Sequence, residues 1–164
     1  MSNENVIEIR DLRKNFGSIK AVDGISLDIP KGSIYGILGP NGSGKTTLIR
    51  MLCGVITPTS GTGKVMGYEL VTETEKIKQQ IGYMSQKFSL YEDLTVYENL
   101  KFYTEIYSVP KKEVKDRIQQ VIIMAGLEGR EHQITKTLSG GWKQRLSLGC
   151  ALIHRPELLI LDEP

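Results

Sequence analysis

Alternating apolar and polar residues mark the first part of the chain. Residues 6–12 alternate in this way, and residues 25–29 repeat the alternation after a predicted turn at residues 15–17. A period of two places one side of a strand against a core and leaves the other side in solvent. The pattern therefore predicts an antiparallel β subdomain at the start of the chain.

Continuous apolar runs follow, and they differ from the alternating strands. They occupy residues 33–38, 81–84 and 158–161. Short runs of this kind are typical of strands buried on both faces. Residues 47–52 favour a helix that stops at Gly54, because glycine commonly ends helices. A short strand near residues 63–66 and a polar helix at residues 73–80 complete a predicted mixed α/β core.

Helical periodicity dominates the middle of the chain. A capping box at residues 95–98 predicts a helix from residue 96 to about residue 107. Pro110 suits the first turn of a second helix, whose apolar positions keep helical spacing as far as Gly126. The sequence thus predicts a helical segment, inserted between residues 86 and 155, that interrupts the α/β core.

Composition narrows the classes of protein that fit. The chain has 164 residues, 40% of them hydrophobic and 24% charged, as in a soluble globular domain. A formal net charge of +2 is too small to argue for nucleic acid as a general partner. Cys53 and Cys150 lie in apolar helical stretches, which favours reduced, buried thiols over a disulfide. No apolar run approaches the roughly 20 residues of a membrane helix, so any membrane crossing would fall to another chain.

The strongest motif is residues 39–46, which read Gly-Pro-Asn-Gly-Ser-Gly-Lys-Thr and fit the P-loop pattern. An apolar run precedes the motif and a helix-forming run follows it. Gly42 and Gly44 leave room for phosphate oxygens, and successive backbone N–H groups can point at one anion. Lys45 would reach the β- and γ-phosphates, and the Thr46 hydroxyl would bind Mg²⁺. The alternative is a glycine-rich turn that happens to precede Lys-Thr.

A second motif, Leu-Ser-Gly-Gly at residues 138–141, begins a third predicted helix, which Pro156 ends. Ser139 would cap this helix, and Gly140 and Gly141 would leave its first N–H groups open to an anion. One nucleotide needs only one P-loop. A two-fold dimer, in which the second site of each chain closes on its partner's nucleotide, accounts for both motifs. The alternative is an ordinary capped helix.

The order of these motifs resembles a known family. The chain contains, in order, the P-loop, Gln86 after a strand, Leu-Ser-Gly-Gly, and Leu-Asp-Glu-Pro at residues 161–164. This order resembles that in the nucleotide-binding subunit of ABC transporters, and the resemblance covers nearly the whole chain. The amino-acid sequence of residues 91–100 and the variant Trp142 are most similar to those of bacterial ABC exporters of the multidrug type. The resemblance implies a P-loop NTPase core, residues 1–85 and 156–164, with an N-terminal antiparallel β subdomain and an inserted α-helical subdomain, residues 86–155.

The resemblance also implies roles for individual residues. Phe16 would stack on adenine, Asp162 would hold the Mg²⁺ shell, and Glu163 would orient or deprotonate the attacking water. Gln86 would sense the γ-phosphate through Mg²⁺ or water, and with Glu163 and Lys45 it makes up the predicted catalytic set. The predicted ATP contacts are Phe16, Gly39, Asn41, Gly42, Ser43, Gly44, Lys45, Thr46, Thr47, Ser139, Gly140 and Gly141. Without the resemblance, Phe16 is a core or turn aromatic, Gln86 a solvated loop amide and the two acids plain turn residues.

The sequence departs from the family in two respects. Trp142 stands where the family most often has glutamine, so the usual side-chain contact is lost. The family continues past Glu-Pro with a loop to the other subunit and then a histidine that contacts the γ-phosphate. Neither His132 nor His154 fits that role. We therefore expect a truncated chain.

The resulting hypothesis is a Mg²⁺-dependent ATPase subunit at the cytoplasmic face of the cell membrane, powering export through a separate transmembrane permease. A second ATP-binding subunit would join it in a head-to-tail dimer, and no nucleic acid partner is expected. Two alternatives remain. One is a soluble ABC ATPase acting on the ribosome or DNA, and the other is a nucleotide-binding module without turnover.

Overall fold

A computed structural model of the chain describes residues 4–86 and 89–162. The chain divides into two compact units, Met1–Gln80 and Ile81–Pro164. The assignment of residues 1–85 and 156–164 to one core, with residues 86–155 inserted into it, stays a prediction.

An antiparallel sheet forms most of the first unit. Its strands are β1 (Asn5–Phe16), β2 (Ile19–Pro30), β3 (Ser60–Val65) and β4 (Tyr68–Glu69), in the spatial order β2-β1-β3-β4. The predicted antiparallel subdomain is confirmed. The turn predicted at residues 15–17 is displaced, because Phe16 pairs with Ile19 and only Gly17 and Ser18 connect the strands. Gly17 takes a positive φ of 58°, as short hairpin turns require.

The buried face of β1 changes phase within the strand. Ile7 and Ile9 are buried two residues apart, as a regular strand demands, but the next buried residue is Leu12. The register against β2 shifts between Ile9 and Leu12, and Asp11 has a positive φ of 46°. This irregularity adds one residue to the strand and thereby returns Leu12 to the core.

Two helices accompany the sheet: α1 (Lys45–Leu52) and α2 (Thr74–Gln80). Gly54 ends α1 with a φ of 67°, and the N–H of Val55 donates to the carbonyl of Arg50 at 2.9 Å. Both predicted helices are confirmed. The strand predicted at residues 33–38 is wrong: these residues form no strand, and Ile34 and Leu38 are almost fully exposed. A strand needs a neighbour to take up its backbone hydrogen bonds, and none of the described strands pairs with this segment.

The second unit is mainly helical. It contains β5 (Ile81–Met84), α3 (Val96–Ile106), α4 (Val114–Ala125), a 3₁₀ turn (Thr135–Thr137), α5 (Gly140–Leu152) and β6 (Leu158–Leu161). Strands β5 and β6 pair in parallel. The capping box of α3 is confirmed, because the Glu98 N–H donates to Thr95 Oγ1 at 3.1 Å and the Thr95 N–H donates to Glu98 Oε2 at 2.8 Å.

Helix α4 begins later than the sequence predicts. Pro110 lies outside it, since the Glu113 N–H donates to the Pro110 carbonyl at 2.7 Å and closes a separate turn before Val114. Its predicted end is confirmed by Gly126, which has a φ of 64°. The apolar sides of α3, α4 and α5 meet in one core, whose fully buried members include Leu100, Ile118 and Leu146.

The mixed α/β class is confirmed, with an antiparallel sheet in one unit and a helical core in the other. Cys53 and Cys150 are both buried as reduced thiols, as predicted. Within residues 4–86 and 89–162, none of the helices combines the length and the apolar character needed to cross a membrane.

Candidate nucleotide-binding site

A glycine-rich loop leads directly into α1. Gly42 and Gly44 have positive φ angles of 80° and 92°, and Gly44 is the N-cap of the helix. The Ser43 N–H donates to the Pro40 carbonyl at 3.2 Å, which closes a turn inside the loop. The loop therefore curls over the N-terminus of α1, where the first N–H groups of the helix and the positive end of its dipole favour an anion.

The ammonium group of Lys45 lies inside this loop. It donates to the carbonyl oxygens of Gly39 at 2.7 Å and Pro40 at 2.9 Å. A Cβ on Gly39 would lie 2.9 Å from the hydroxyl oxygen of Ser43, so a larger residue there would displace the Ser43 hydroxyl. The first turn of α1, all of it described, contains no acidic residue that would compete for the same positive end. Loop, helix and ammonium together can hold phosphate oxygens.

The remaining candidates of the first unit lie on exposed or half-buried positions. Asn41, like Gly42 and Ser43, is exposed, while Thr46 and Thr47 are half-buried in the first turn of α1. Phe16 ends β1 with half of its surface exposed. The ammonium of Lys14 lies 5.1 Å from the centre of the Phe16 ring. An exposed ring of this kind can stack on a planar base, and this role of Phe16 stays a prediction.

The second motif presents an open helix start. Ser139 is the N-cap of α5, and within the described chain its side chain makes no capping hydrogen bond. Ser139, Gly140 and Gly141 are exposed, and apart from chain neighbours and the helix backbone none of the described atoms lies within 4 Å of a Cβ built on either glycine. The first N–H groups of α5 are thus accessible to an anion, and Ser139 occupies the predicted capping position without the side-chain bond of a cap.

Two arginines flank the tryptophan that departs from the family pattern. The guanidinium carbons of Arg130 and Arg145 lie 4.2 Å and 5.1 Å from the Trp142 ring. Arg145 also donates to the carbonyl of Ala125 at 3.3 Å, at the end of α4. Sequence reasoning gave neither arginine a role, because Arg130 is distant from Trp142 in the chain and the three-residue spacing of Trp142 and Arg145 does not by itself reveal a cation–π contact. They add positive charge beside the start of α5.

Gln86 and Asp162 follow the parallel strands β5 and β6, so they lie at the same edge of this sheet. Asp162 is buried, and its N–H donates to the carbonyl of Met84 at 2.9 Å. Gln86 is exposed. The Tyr83 hydroxyl donates to Asp162 Oδ2 at 3.5 Å. Sequence analysis missed this contact, since Tyr83 reads as part of an apolar strand.

The structure thus distributes the predicted residues between the two units. The loop residues and Phe16 belong to the first unit, while Gln86, the Ser139 motif and Asp162 belong to the second. Glu163, the predicted catalytic acid, lies outside the described residues.

Comparisons with known proteins agree with the motif order. The sequence profile described as ABC transporter matches residues 22–164. The probable multidrug ABC transporter ATP-binding protein YbhF of Escherichia coli K12 is 43% identical over 161 residues, which is 98% of this chain and 28% of YbhF. The methionine import ATP-binding protein MetN of Geobacillus kaustophilus is 44% identical over 151 residues, which is 90% of this chain and 44% of MetN.

A solved structure shares the fold. It is cbiO1 from Clostridium perfringens, described as part of the ABC transporter complex cbiONQ, with a TM-score of 0.85 and 28% identity. The match covers 98% of this chain and 66% of cbiO1. The chain therefore spans less than two thirds of the length of each of these relatives.

Proposed function

The chain belongs to the ABC transporter family, and from this premise we propose that it binds and hydrolyses ATP to power a membrane transporter. The observation that carries the proposal is the loop of residues 39–44 around the ammonium of Lys45, at the open start of α1. Backbone N–H groups, a helix dipole and a cation directed at one place suit the phosphate chain of a nucleotide.

Hydrolysis in this proposal is mostly a matter of position and charge. Lys45 would bind the β- and γ-phosphates, with Gly39, Asn41, Gly42, Ser43, Gly44, Thr46 and Thr47 as further contacts. Thr46, Gln86 and Asp162 would hold Mg²⁺, which neutralises charge on the phosphates. Glu163 would accept a proton as water attacks the γ-phosphorus, and the bond to the β-phosphate oxygen breaks to leave ADP and phosphate. The burial of Asp162 at the end of β6 supports a fixed position for its carboxylate.

The second anion site belongs, in this proposal, to a head-to-tail dimer. Ser139, Gly140 and Gly141 would contact the γ-phosphate of ATP bound to a partner subunit. Their exposure and the open N–H groups of α5 support this arrangement. Arg130 and Arg145 beside Trp142 would strengthen the local positive potential.

Export through a transmembrane permease is the proposed transport function, with the chain at the cytoplasmic face of the membrane. Two observations support export: the name of YbhF, a probable multidrug transporter protein, and the amino-acid sequence of residues 91–100. The MetN relative is named for import, so the direction of transport needs a direct test. ATP-dependent movement of a labelled drug out of cells, rather than into them, would support export.

The experiment on the ATPase uses four proteins: the parent, Lys45→Ala, Glu163→Gln and the control Lys31→Ala. Lys45→Ala should lose most ATP affinity, because charge-assisted hydrogen bonds contribute roughly 1.5 to 3 kcal/mol each. Glu163→Gln should keep ATP affinity and lose phosphate release. The measurements are binding of a labelled ATP analogue and phosphate release with Mg²⁺, with Lys31→Ala as a control outside the loop. Unchanged binding in Lys45→Ala would refute the site, and binding without phosphate release in the parent would favour a module without turnover.

A further inference from the structure

The segment after the first strand of the second unit is bonded to the segment that precedes α5. The Thr135 N–H donates to the Leu94 carbonyl at 2.9 Å, and the Lys136 N–H donates to the Glu92 carbonyl at 2.9 Å. Thr95 and Ile134 form a bridge in the same place. These bonds join residues about forty positions apart in the chain, so they hold the two segments in a fixed position relative to each other.

Asn99 of α3 lies at the centre of this contact and is fully buried. Its Nδ2 lies 2.9 Å from the Tyr91 carbonyl, 3.1 Å from the Thr95 carbonyl and 2.9 Å from Thr135 Oγ1. Its Oδ1 accepts the Tyr91 N–H at 2.9 Å. A buried amide with all these partners strongly specifies one arrangement, because losing it leaves several buried polar groups unpaired.

An ion pair extends the connection to the first turn of α5. Lys143 Nζ lies 2.7 Å from Glu92 Oε1, and the Lys143 side chain is only 19% exposed. The Lys143 N–H donates to the Ser139 carbonyl at 3.0 Å, which makes it part of the first helical bond of α5. The pair therefore holds the turn that begins at Ser139 against residue 92.

This connection matters because the start of α5 lacks a side-chain cap. The Ser139 side chain makes no capping bond within the described chain, and apart from chain neighbours and the helix backbone none of the described atoms lies within 4 Å of a Cβ built on Gly140 or Gly141. Their N–H groups can aim at a phosphate only if something else orients the helix start. A displacement of about 1 Å in such a site can cost on the order of a hundredfold in rate.

We propose that Asn99 and Lys143 are positioning residues, which hold the Ser139–Gly141 anion site in the orientation that binds the phosphate of a nucleotide carried by a second copy of this chain. We name the set Glu92, Asn99, Thr135 and Lys143 the clamp. The proposal rests on the proposed function. It adds that residues that do not touch the nucleotide set the orientation of the N–H groups at Ser139–Gly141.

Charge exchange tests the ion pair of the clamp. The full chain with Glu163→Gln is the parent, and the measurement is the ATP concentration that gives half-maximal association, followed by light scattering. Glu92→Lys and Lys143→Glu should each raise this half-maximal ATP concentration about tenfold, since each places like charges together. The double variant Glu92→Lys with Lys143→Glu should return to within about threefold of the parent, because the pair is restored with its signs reversed. Lys78→Glu, which breaks the exposed 2.7 Å pair of Lys78 with Glu75, is the matched control.

The charge exchange also separates positioning from direct contact. If Lys143 itself bound a phosphate, the double variant would stay as weak as Lys143→Glu, and the clamp would be refuted. Single variants that associate like the parent would refute it as well. Labelled ATP binding to the monomer should be unchanged in all variants, which keeps failure of the clamp distinct from failure of the P-loop. A parent that does not associate with ATP would overturn both the proposed dimer and the clamp.

Two conservative changes test the amide part of the clamp. Thr135→Val removes the hydroxyl that accepts a bond from Asn99, while Thr135→Ser keeps it. Association should weaken severalfold in Thr135→Val and stay close to the parent in Thr135→Ser. Equal association in these two variants, at equal thermal midpoints, would show that Asn99 does not position the site.

Discussion

Gly44 and Ala21 approach so closely that a side chain on Gly44 would overlap the carbonyl oxygen of Ala21. Gly44 caps α1, and Ala21 lies in β2. This close approach places the glycine-rich loop of residues 39–44 directly against the antiparallel sheet at the residue before Lys45. A glycine is needed here both for this contact and for its φ of 92°.

Comparison of two alanine variants tests how much the close approach of Gly44 and Ala21 matters for stability. Gly44→Ala should lower the free energy of unfolding by more than about 3 kcal/mol, since it combines a backbone clash with left-handed strain. Gly42→Ala should lower it by only about 1 to 2 kcal/mol, because its φ is 80° but, apart from its two chain neighbours, none of the described atoms lies within 4 Å of a Cβ built there. Urea unfolding measures both. Equal losses would mean that the contact with Ala21 contributes nothing.

Local signals explain which features the sequence could predict. The capping box at Thr95, the helix stop at Gly126 and the start of α5 after Ser139 each depend on a few neighbouring residues, and all three are confirmed. The strand at residues 33–38 depends on a neighbouring strand, which an apolar run cannot reveal. The buried hydrogen bonds of Asn99 could not be predicted for the same reason, since its partner Thr135 is 36 residues away in the chain.

The capping box gives a second test of stability. Thr95→Ala removes the hydroxyl that accepts the Glu98 N–H at 3.1 Å. The loss should be about 1 kcal/mol, as for other capping residues. Thr95→Ser keeps the hydroxyl and should lose much less. Urea unfolding of the two variants is the measurement, and similar losses in both would assign the effect to the methyl group instead.

His154 should make the protein sensitive to mild acid. Its ring stacks on Tyr107, with 3.6 Å between ring centres, and burial lowers the pKa of His154, with the nearby charge of Arg117 acting in the same direction. The folded chain then binds this proton more weakly than the unfolded chain. The contribution to stability is complete above a pH of about 6.5 and is lost as pH falls below that value.

Thermal unfolding at pH 7.5 and pH 5.5 measures this sensitivity. His154→Phe keeps a flat ring against Tyr107 and cannot gain the proton, so its midpoint should fall less on acidification than that of the parent. His132→Gln is the control, because it removes the other histidine of the sequence, which is exposed. An identical fall in the parent and in His154→Phe would show that another group is responsible.

The last prediction concerns the exposed start of α5. Ser139→Arg places a long side chain over the N–H groups that the proposed dimer directs at a partner's γ-phosphate, and Ser139 is exposed, so the fold should tolerate it. In the full chain with Glu163→Gln, the substitution should abolish ATP-driven association and leave ATP binding to the monomer unchanged, since Lys45 and its loop belong to the other unit. Light scattering measures association, and a labelled ATP analogue measures binding. Ser139→Ala is the control, because it leaves the N–H groups uncovered. If Ser139→Arg associates as well as the control does, this helix start does not meet a nucleotide.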